Sequence, residues 1–380
     1  RKDESYKYTN LSKVLDKFNT FDFSATKASK LDFDLNSLKV DGTYSMFFLN
    51  GELQSESDKT ELEFLGSTES NYSYNSDYNF KEDFLVKMNS LETKKHTFKL
   101  SANKAIDKPI FMFHIIGSSD THLFNQEISY ELEKNCELNI VEVFINSKEN
   151  SVFFNNKSQS TLHQNAKFTH IHHQDLNKSS SFGNSITAQV AKDANYKSFT
   201  TTLGSEISRT NIHIDINDQG AEATASGLYT LHGTQHSDVN SYIAHNAPHT
   251  ESHQLYKGIM NNNSRGVFTG LIKVQKDAQL INSNQLNKNL LLTKGAHANS
   301  RPQLEIFADD VKCSHGSTTG QLSEQELFYF QSRGIREEKA KMMLARAYTY
   351  DVLLKIENKL IRNYLQNEIT EKFENKAYAK

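Results

Sequence analysis

The sequence predicts a mostly β protein whose central part is a parallel β-helix, followed by a helical C-terminal region. Short β-type runs recur between Ile110 and Val311, separated by polar or glycine-containing turns. Only Pro248 and Pro302 interrupt this stretch. Many short strands are compatible with a barrel, a sandwich or a β-helix. Asparagine is frequent at the run ends and tight hairpin dipeptides are absent. This favours β-helix coils, because asparagine tolerates left-handed turns and can stack in ladders.

Residues 1–104 are predicted to form a small mixed region. A helix is expected at Asn10–Phe18, and another short one at Phe84–Leu91. Between them, Tyr44–Leu49 has the composition of a strand, and the following Asn50-Gly51 pair is a hairpin signal.

Residues 105–311 are predicted to form the β-helix core. Ile212, Ile214 and Ile216 alternate with polar residues, which is the period-two pattern of a half-buried strand. The run from Phe268 to Val274 repeats this pattern. No strict repeat period is evident in the sequence.

Residues 312–380 are predicted to form a helical domain. Ser323 and Glu326 have the spacing of a capping box at a helix start, and Gly334 is suited to the left-handed residue after a helix end. A second helix is expected to begin near Arg336. One face of it carries these residues: Met343, Ala347, Tyr350 and Leu354.

Composition and charge narrow the class of protein. The 380 residues include 24 Phe and 16 Tyr, and the net charge is −3, which argues against disorder and against a basic nucleic-acid binder. The only two cysteines, Cys136 and Cys313, cannot form a disulfide framework, which indicates a reducing compartment. The opening residues show no apolar signal segment, and Pro109–Ile116 is too short to span a membrane. We therefore expect a cytoplasmic protein, with native residues preceding Arg1.

Phosphate-binding loops are absent from the sequence. Neither GxxxxGK[ST] nor GxGxxG after a strand occurs. We therefore expect any nucleotide chemistry to belong to a partner.

Histidine is frequent, with 15 residues. His245, His249 and His253 have helical spacing, but Pro248 argues against a helix there. His170 and His172 are expected to share one face of a strand. No carboxylate or cysteine stands at a fixed spacing from them, so structural roles are favoured over metal binding.

Cys313 and His315 form a candidate half-site for a metal. If the segment VKCSHG is extended, the two side chains point the same way, and a thiolate with an imidazole suits a soft or borderline metal. Two ligands do not close a site, so other ligands would have to come from another chain or from solution. Spacing alone favours the alternative of an inert buried cysteine beside a hydrogen-bonded histidine.

Long segments of the chain resemble one known family. Arg301–Ile335, RPQLEIFADDVKCSHGSTTGQLSEQELFYFQSRGI, closely resembles the C-terminal signature of the SufB/SufD family of the SUF iron–sulfur cluster assembly complex, SufBCD. GLYTLHGTQHSDVNSYIAHNAPHTESHQLYKGIM, SRGVFTGLIKVQKDAQ, NAKFTHIHHQ and YKYTNL continue the resemblance upstream. KCSHGSTTGQL is similar to the SufD branch. The upstream NKNLLLTKGAH lacks the cysteine that SufB-like members carry there.

The resemblance implies a fold and a set of partners. It implies a right-handed parallel β-helix with flanking helical regions, which acts as a scaffold in cluster assembly and iron acquisition. SufB would pair with it through the β-helix, and SufC, an ABC-type ATPase, would bind the C-terminal helices. Whether the isolated chain forms a homodimer is left open.

The resemblance also implies site residues and cargo. His315, with Cys313 nearby, would contribute to a nascent iron–sulfur cluster at the SufB interface, while no cofactor is held stably by this chain alone. Reduced flavin in the complex is left open. The expected SufC-binding residues are Leu327, Phe328, Tyr329, Arg333, Gly334, Ala347 and Tyr348.

Two other functions are compatible with a β-helix. A polysaccharide lyase-type enzyme would show clustered carboxylates or basic residues along one strand face, which the sequence lacks. An adhesive solenoid would not explain VKCSHG or the capped helical tail.

Overall fold

A computed structural model describes residues 7–9, 34–54, 57–66, 85, 88, 93–117, 122–146 and 151–374. The helix predicted at Asn10–Phe18 lies outside these residues. Of the helix predicted at Phe84–Leu91, only Leu85 and Met88 are described, and both are helical.

The described part of the chain is a parallel β-solenoid built from two sheets. Odd-numbered strands from β5 onward stack in one sheet, in the order β19-β17-β15-β13-β11-β9-β7-β5-β1-β2. Even-numbered strands from β4 onward stack in the other sheet, which β3 completes, in the order β18-β16-β14-β12-β10-β8-β6-β4-β3. We call these sheet A and sheet B. The strands are β1 Tyr44–Leu49, β2 Glu52–Leu53, β3 Glu63–Gly66, β4 Lys94–Leu100, β5 Ile110–Ile116, β6 His122–Leu132, β7 Glu137–Asn146, β8 Val152–Leu162, β9 Lys167–Gln174, β10 Ser181–Val190, β11 Asn195–Thr202, β12 Ile207–Ile216, β13 Glu222–Leu231, β14 His236–His245, β15 Glu251–Met260, β16 Arg265–Val274, β17 Ile281–Leu291, β18 His297–Ile306 and β19 Val311–Gln321.

The predicted β-helix is thus confirmed, and the structure explains why no strict repeat is visible in the sequence. One coil takes 26 residues between the paired positions Ser181 and Ile207, but 32 between Arg265 and His297. The turns differ in length from coil to coil, while the strands of successive coils stay paired in parallel register. A variable period hides the repeat from any search at fixed spacing.

Asparagine has the role in the turns that its frequency predicted. Asn103, Asn135 and Asn165 all adopt left-handed backbone conformations, with φ of 63°, 58° and 58°. They form a ladder, because the Asn165 side chain donates to Asn135 Oδ1 at 3.0 Å and Asn135 donates to Asn103 Oδ1 at 2.7 Å. Stacked amides of this kind hold successive coils in register.

The interior between the sheets contains the main hydrophobic core. Ile212, Ile214 and Ile216 lie in it as predicted. Their alternating neighbours His213 and Asp215 are buried too, so the half-buried strand expected there is buried on both faces. In β16 the predicted alternation is confirmed, since buried Phe268, Ile272 and Val274 alternate with half-exposed residues.

Three helices follow the solenoid in the described residues. They are α1 Glu324–Gln331, α2 Glu337–Leu353 and α3 Lys359–Glu374. The Ser323 side chain caps α1 by accepting from the Glu326 amide, Gly334 has a φ of +76°, and Arg336 is the N-cap of α2. These predicted helix signals are confirmed.

The tail packs along the side of the solenoid. Val352, Ile361 and Leu365 share a buried cluster with outward-facing residues of sheet A such as Phe111 and Val141. The apolar surface that the tail buries is therefore the outer face of sheet A. The face of α2 with Met343, Tyr350 and Leu354 is exposed instead, by 41%, 57% and 46%.

The strand ladders cross the predicted domain limits at residues 104 and 311. Strand β1 pairs in parallel with β5, and β4 with β6, so residues before 105 already belong to the sheets. At the other end, β19 pairs with β17 over Val311–Gln321. In the described residues, no helix is long and apolar enough to cross a membrane.

Candidate functional site at the end of the solenoid

The last coil leaves two strand edges without a neighbour in the described part of the chain. Strand β19 is bonded only to β17, and β18 only to β16. Both are long, at 11 and 10 residues, and largely solvent-accessible. Long unpaired edges are templates for pairing with another chain. This end of the solenoid is therefore suited to extension by a second β structure.

Cys313 and His315 lie on edge strand β19 and continue the inward-facing line of side chains. Their register partners on β17 are Ser283 and Gln285, each 1% exposed. Because alternate residues of a strand face one side, the two side chains point the same way, as the sequence predicted. Their register with Ser283 and Gln285 directs them toward the solenoid interior. Being in the last coil, His315 is nevertheless exposed. The half-site faces the place where a further coil would begin.

The surroundings of Cys313 make it a poor ligand on its own. It is half-buried against the small apolar cluster around Ile272, Val274 and Ala308. This burial raises the pKa of the Cys313 thiol above its usual value. Since the thiolate is the form that ligates metal, Cys313 stays protonated at neutral pH until a cation or metal lowers its pKa.

A buried amide lies next to His315. Both side-chain polar atoms of Gln285, the Nε2 and the Oε1, lack a hydrogen-bond partner within the described residues. Unsatisfied buried polar groups are rare and costly in native proteins. The amide of Gln285, next to His315, therefore has free hydrogen-bonding capacity within the described residues. Polar groups of an added partner chain, or water, are suited to fill it.

A groove of about 410 Å³ runs from this edge toward the helical tail. Its lining includes His253 on β15, Ser314 on β19 and Lys355 after α2. His253 and Ser314 are in register with the same residue of β17, so their side chains lie on the outer face of sheet A, opposite to that of His315. Sequence reasoning did not group these three residues, because the coil period that places β15, β17 and β19 side by side was not visible. An alignment of strands by their register would have shown it.

Exposed apolar side chains accompany the unpaired edges. Leu280 is 49% exposed, Ile306 38% and Phe307 58%. They flank the starts and ends of the last strands. Grouped exposed apolar residues are typical of protein interaction sites.

A second exposed apolar group lies on the helical tail. Phe328 and Tyr329 on α1 are 70% and 55% exposed, and α1 has no buried residue. The Arg333 guanidinium stacks 3.5 Å from the centre of the Tyr329 ring, which holds this turn together. Leu327 is half-buried.

The two predicted tail residues on α2 differ in environment. Ala347 is exposed, whereas Tyr348 is half-buried against the solenoid. Lys257 of β15 lies 3.9 Å from the centre of the Tyr348 ring and donates to its backbone oxygen at 2.6 Å. Lys257 also contacts Asp351 at 2.5 Å. Tyr348 therefore anchors α2 to sheet A, a role that spacing along the helix did not indicate.

Comparison with known proteins connects these features to one system. Residues 114–348 match the family model described as SUF system FeS cluster assembly, SufBD core domain. The chain is 33% identical over 264 residues to an iron–sulfur cluster assembly SufBD family protein of Synechocystis, covering 67% of this chain and 58% of that protein. It is 30% identical to the chloroplastic protein ABCI7 of Arabidopsis thaliana, covering 70% and 57% of the two chains. It is 27% identical to the iron–sulfur cluster assembly protein SufD of Escherichia coli, covering 93% and 84%. The matches thus span less than two thirds of the first two relatives.

Proposed function

Because the chain belongs to the SufBD core family of the SUF iron–sulfur cluster assembly system, we propose that it is a non-catalytic, SufD-type scaffold subunit. In this role it pairs with SufB, binds the ATPase SufC, and supports cluster assembly and iron acquisition in the cytoplasm. The observation that carries the proposal is the open end of the solenoid, where unpaired strand edges coincide with the inward-facing Cys313 and His315.

Pairing with SufB would use the edges of β18 and β19. A partner strand beside β19 would extend sheet A, and its inward-facing side chains would continue the line of Cys313 and His315. The two residues supply at most two ligands. A partner chain is needed to complete a set of four, which fits assembly of the cluster as cargo between two subunits.

Binding of SufC would use the exposed apolar face of the helical tail. Phe328, Tyr329 and Tyr350 together provide aromatic anchors of the kind that dominate binding energy at interfaces. No phosphate-binding loop occurs in the sequence, so the ATP chemistry of the complex would belong to SufC.

Co-purification tests this function. The tagged chain is co-expressed with the SufB and SufC of its own genome, as wild type and as two variants. Ser317→Pro interrupts the β19 edge, because proline cannot donate a ladder hydrogen bond. Phe328→Ser removes the most exposed aromatic of the tail. We expect Ser317→Pro to lose SufB and keep SufC, and Phe328→Ser to show the reverse.

A matched control is Phe64→Ser, since Phe64 is 39% exposed at the N-terminal end of sheet B. It is expected to keep both partners. Failure of the wild-type chain to retain either partner would refute the scaffold role. Equal loss of SufC in Phe64→Ser and Phe328→Ser would refute the proposed SufC face.

A further inference from the structure

A cluster of three histidines and one glutamate lies inside the solenoid, far along the chain from Cys313. Glu142 is on β7, His170 and His172 are on the adjacent β9, and His114 is on β5. Glu142 pairs in register with His172, and all four side chains are between 0% and 1% exposed. We call this group the His–Glu cluster.

The imidazole nitrogens converge on the Glu142 carboxylate. The Nε2 atoms of His170, His114 and His172 lie 2.6, 3.3 and 4.0 Å from its oxygens. Ligand atoms bound tetrahedrally about 2.0–2.2 Å from a metal are about 3.4 Å apart. The observed spacings bracket this value, so small side-chain movements would bring the donors to coordination distance.

The hydrogen bonds of the cluster are unevenly distributed. Glu142 Oε1 accepts from Tyr130 at 3.0 Å and from Ser158 at 3.3 Å, and His170 contacts the same oxygen. Glu142 Oε2, His114 Nε2 and His172 Nε2 make no hydrogen bond within the described residues. Unsatisfied buried polar atoms are costly and rare in native proteins. Glu142, His170 and His172 each offer a ligand atom within 4.8 Å of the other two, and an ion between them would give the unpaired atoms of Glu142 and His172 a partner.

The outer nitrogens of His114 and His172 are linked by a chain of amides. Gln126 contacts His114 Nδ1 at 3.1 Å and Asn156 at 3.3 Å, Asn156 contacts Asn184 at 3.0 Å, and Asn184 contacts His172 Nδ1 at 3.2 Å. The hydrogen bonds between these amides can point in either direction without any change of heavy-atom positions, because the oxygen and nitrogen of a side-chain amide have nearly the same shape.

One direction of this chain prepares the cluster for a cation. If the amide oxygens of Gln126 and Asn184 face the histidines, both Nδ1 atoms donate protons to them. The Nε2 atoms of His114 and His172 then carry lone pairs directed at Glu142. As placed in the structure, Gln126 Nε2 donates to Asn156 Oδ1 and Asn156 Nδ2 donates to Asn184 Oδ1, so this direction turns over all three amides. Such outer hydrogen bonds to ligating histidines are a general feature of metal sites.

We propose that the His–Glu cluster binds one divalent first-row transition metal ion through Glu142, His170 and His172, with His114 as the fourth ligand. Imidazole and carboxylate donors suit Zn²⁺ and Fe²⁺, which share this ligand chemistry. The ion would displace the proton between His170 and Glu142 and satisfy the three unpaired atoms. Because the cluster is fully enclosed, the ion would enter as the chain folds, and binding would stabilise the folded state.

The protonation state of His172 is the one that metal binding needs. Burial, followed by the proximity of His170, lowers the pKa of His172 to about 3, so its imidazole is neutral, as a ligand must be.

Metal analysis of the full chain tests the proposal. The protein is purified from cells supplied with equal iron and zinc, handled without oxygen, and assayed for metal content. Separately, it is unfolded with chelator and refolded with Co²⁺, which reports nitrogen and oxygen ligation by its visible absorption. We expect about one equivalent of metal per chain, and its identity distinguishes iron from zinc.

Variants locate the ion. His172→Gln and Glu142→Gln are expected to lose it, whereas His245→Gln is expected to keep it. His245 is equally buried, but both of its ring nitrogens are hydrogen-bonded. The double variant Cys313→Ser, His315→Ala is also expected to keep the ion. Wild-type protein without metal after both preparations would overturn the proposal, as would unchanged metal content in His172→Gln and Glu142→Gln.

Discussion

His245 makes the stability of the solenoid sensitive to mild acid. It is buried on β14, and Thr250 Oγ1 lies 2.7 Å from its Nδ1 and Ser252 Oγ 2.8 Å from its Nε2. Thr250 donates to the carbonyl oxygen of Ala247, so its oxygen accepts from the Nδ1–H of His245. Burial lowers the pKa of His245 to about 4. Protonation of this ring therefore opposes folding.

The size of the effect follows from the difference between the folded and unfolded pKa values. In the unfolded chain a histidine titrates near pH 6.5, whereas in the folded chain His245 titrates near 4. The folded pKa is depressed, so the stabilising contribution is complete above about pH 6.5 and is lost as the pH falls toward 4. At about 1.4 kcal/mol per pH unit, roughly 2 kcal/mol is lost between pH 7 and pH 5.

Urea unfolding of wild type and His245→Gln at pH 7 and pH 5 measures this difference. Glutamine does not titrate, so the variant should lose about 2 kcal/mol less than wild type between the two pH values. Other buried histidines, such as His232, titrate in both proteins and cancel. His253→Gln is the control, because the His253 side chain is 42% exposed, and its pH dependence should match wild type. If wild type and His245→Gln lose equal free energy of unfolding between pH 7 and pH 5, protonation of His245 does not oppose folding.

Two further predictions concern packing. Leu365→Ala in α3 should lower the free energy of unfolding by about 2–5 kcal/mol and expose the tail to limited proteolysis, because Leu365 is fully buried against sheet A. Leu360→Ala, at a position 41% exposed, should have a much smaller effect, and similar losses in both would contradict the packing described. Gly258→Ala should cost about 1–3 kcal/mol, since the added carbon would lie 2.1 Å from Tyr229 Cε2. Gly320→Ala meets nothing within 4 Å, and thermal melting should show it unchanged; a comparable drop there would contradict the assigned geometry.

Local sequence signals predicted the architecture well. The alternation in β16, the asparagine turns and the caps of α1 all act through neighbouring residues, so each can be recognised without knowledge of the fold. Side-chain direction within one strand is equally local. For this reason Cys313 and His315 were expected to point the same way, as they do.

Contacts between coils were not accessible in the same way. Glu142 and His172 are adjacent in space only because one coil returns the chain beside the previous one, and the coil length varies. Searching for a carboxylate at a fixed spacing from His170 and His172 therefore missed Glu142. The same reason separated His253 from Ser314 in the sequence analysis. The position of the tail could not be predicted either, because it depends on apolar residues of sheet A that face outward.

In the proposed function, the open end of the solenoid contributes His315 to a cluster site shared with SufB. The most direct measurement is the anaerobic cluster content, by absorbance, of the complex co-expressed with SufB and SufC, comparing wild type, His315→Ala and His297→Ala. His297 is an exposed histidine on the other edge strand, β18, at the same end. We expect all three complexes to assemble and only His315→Ala to lose the cluster. Normal cluster content in His315→Ala would contradict it.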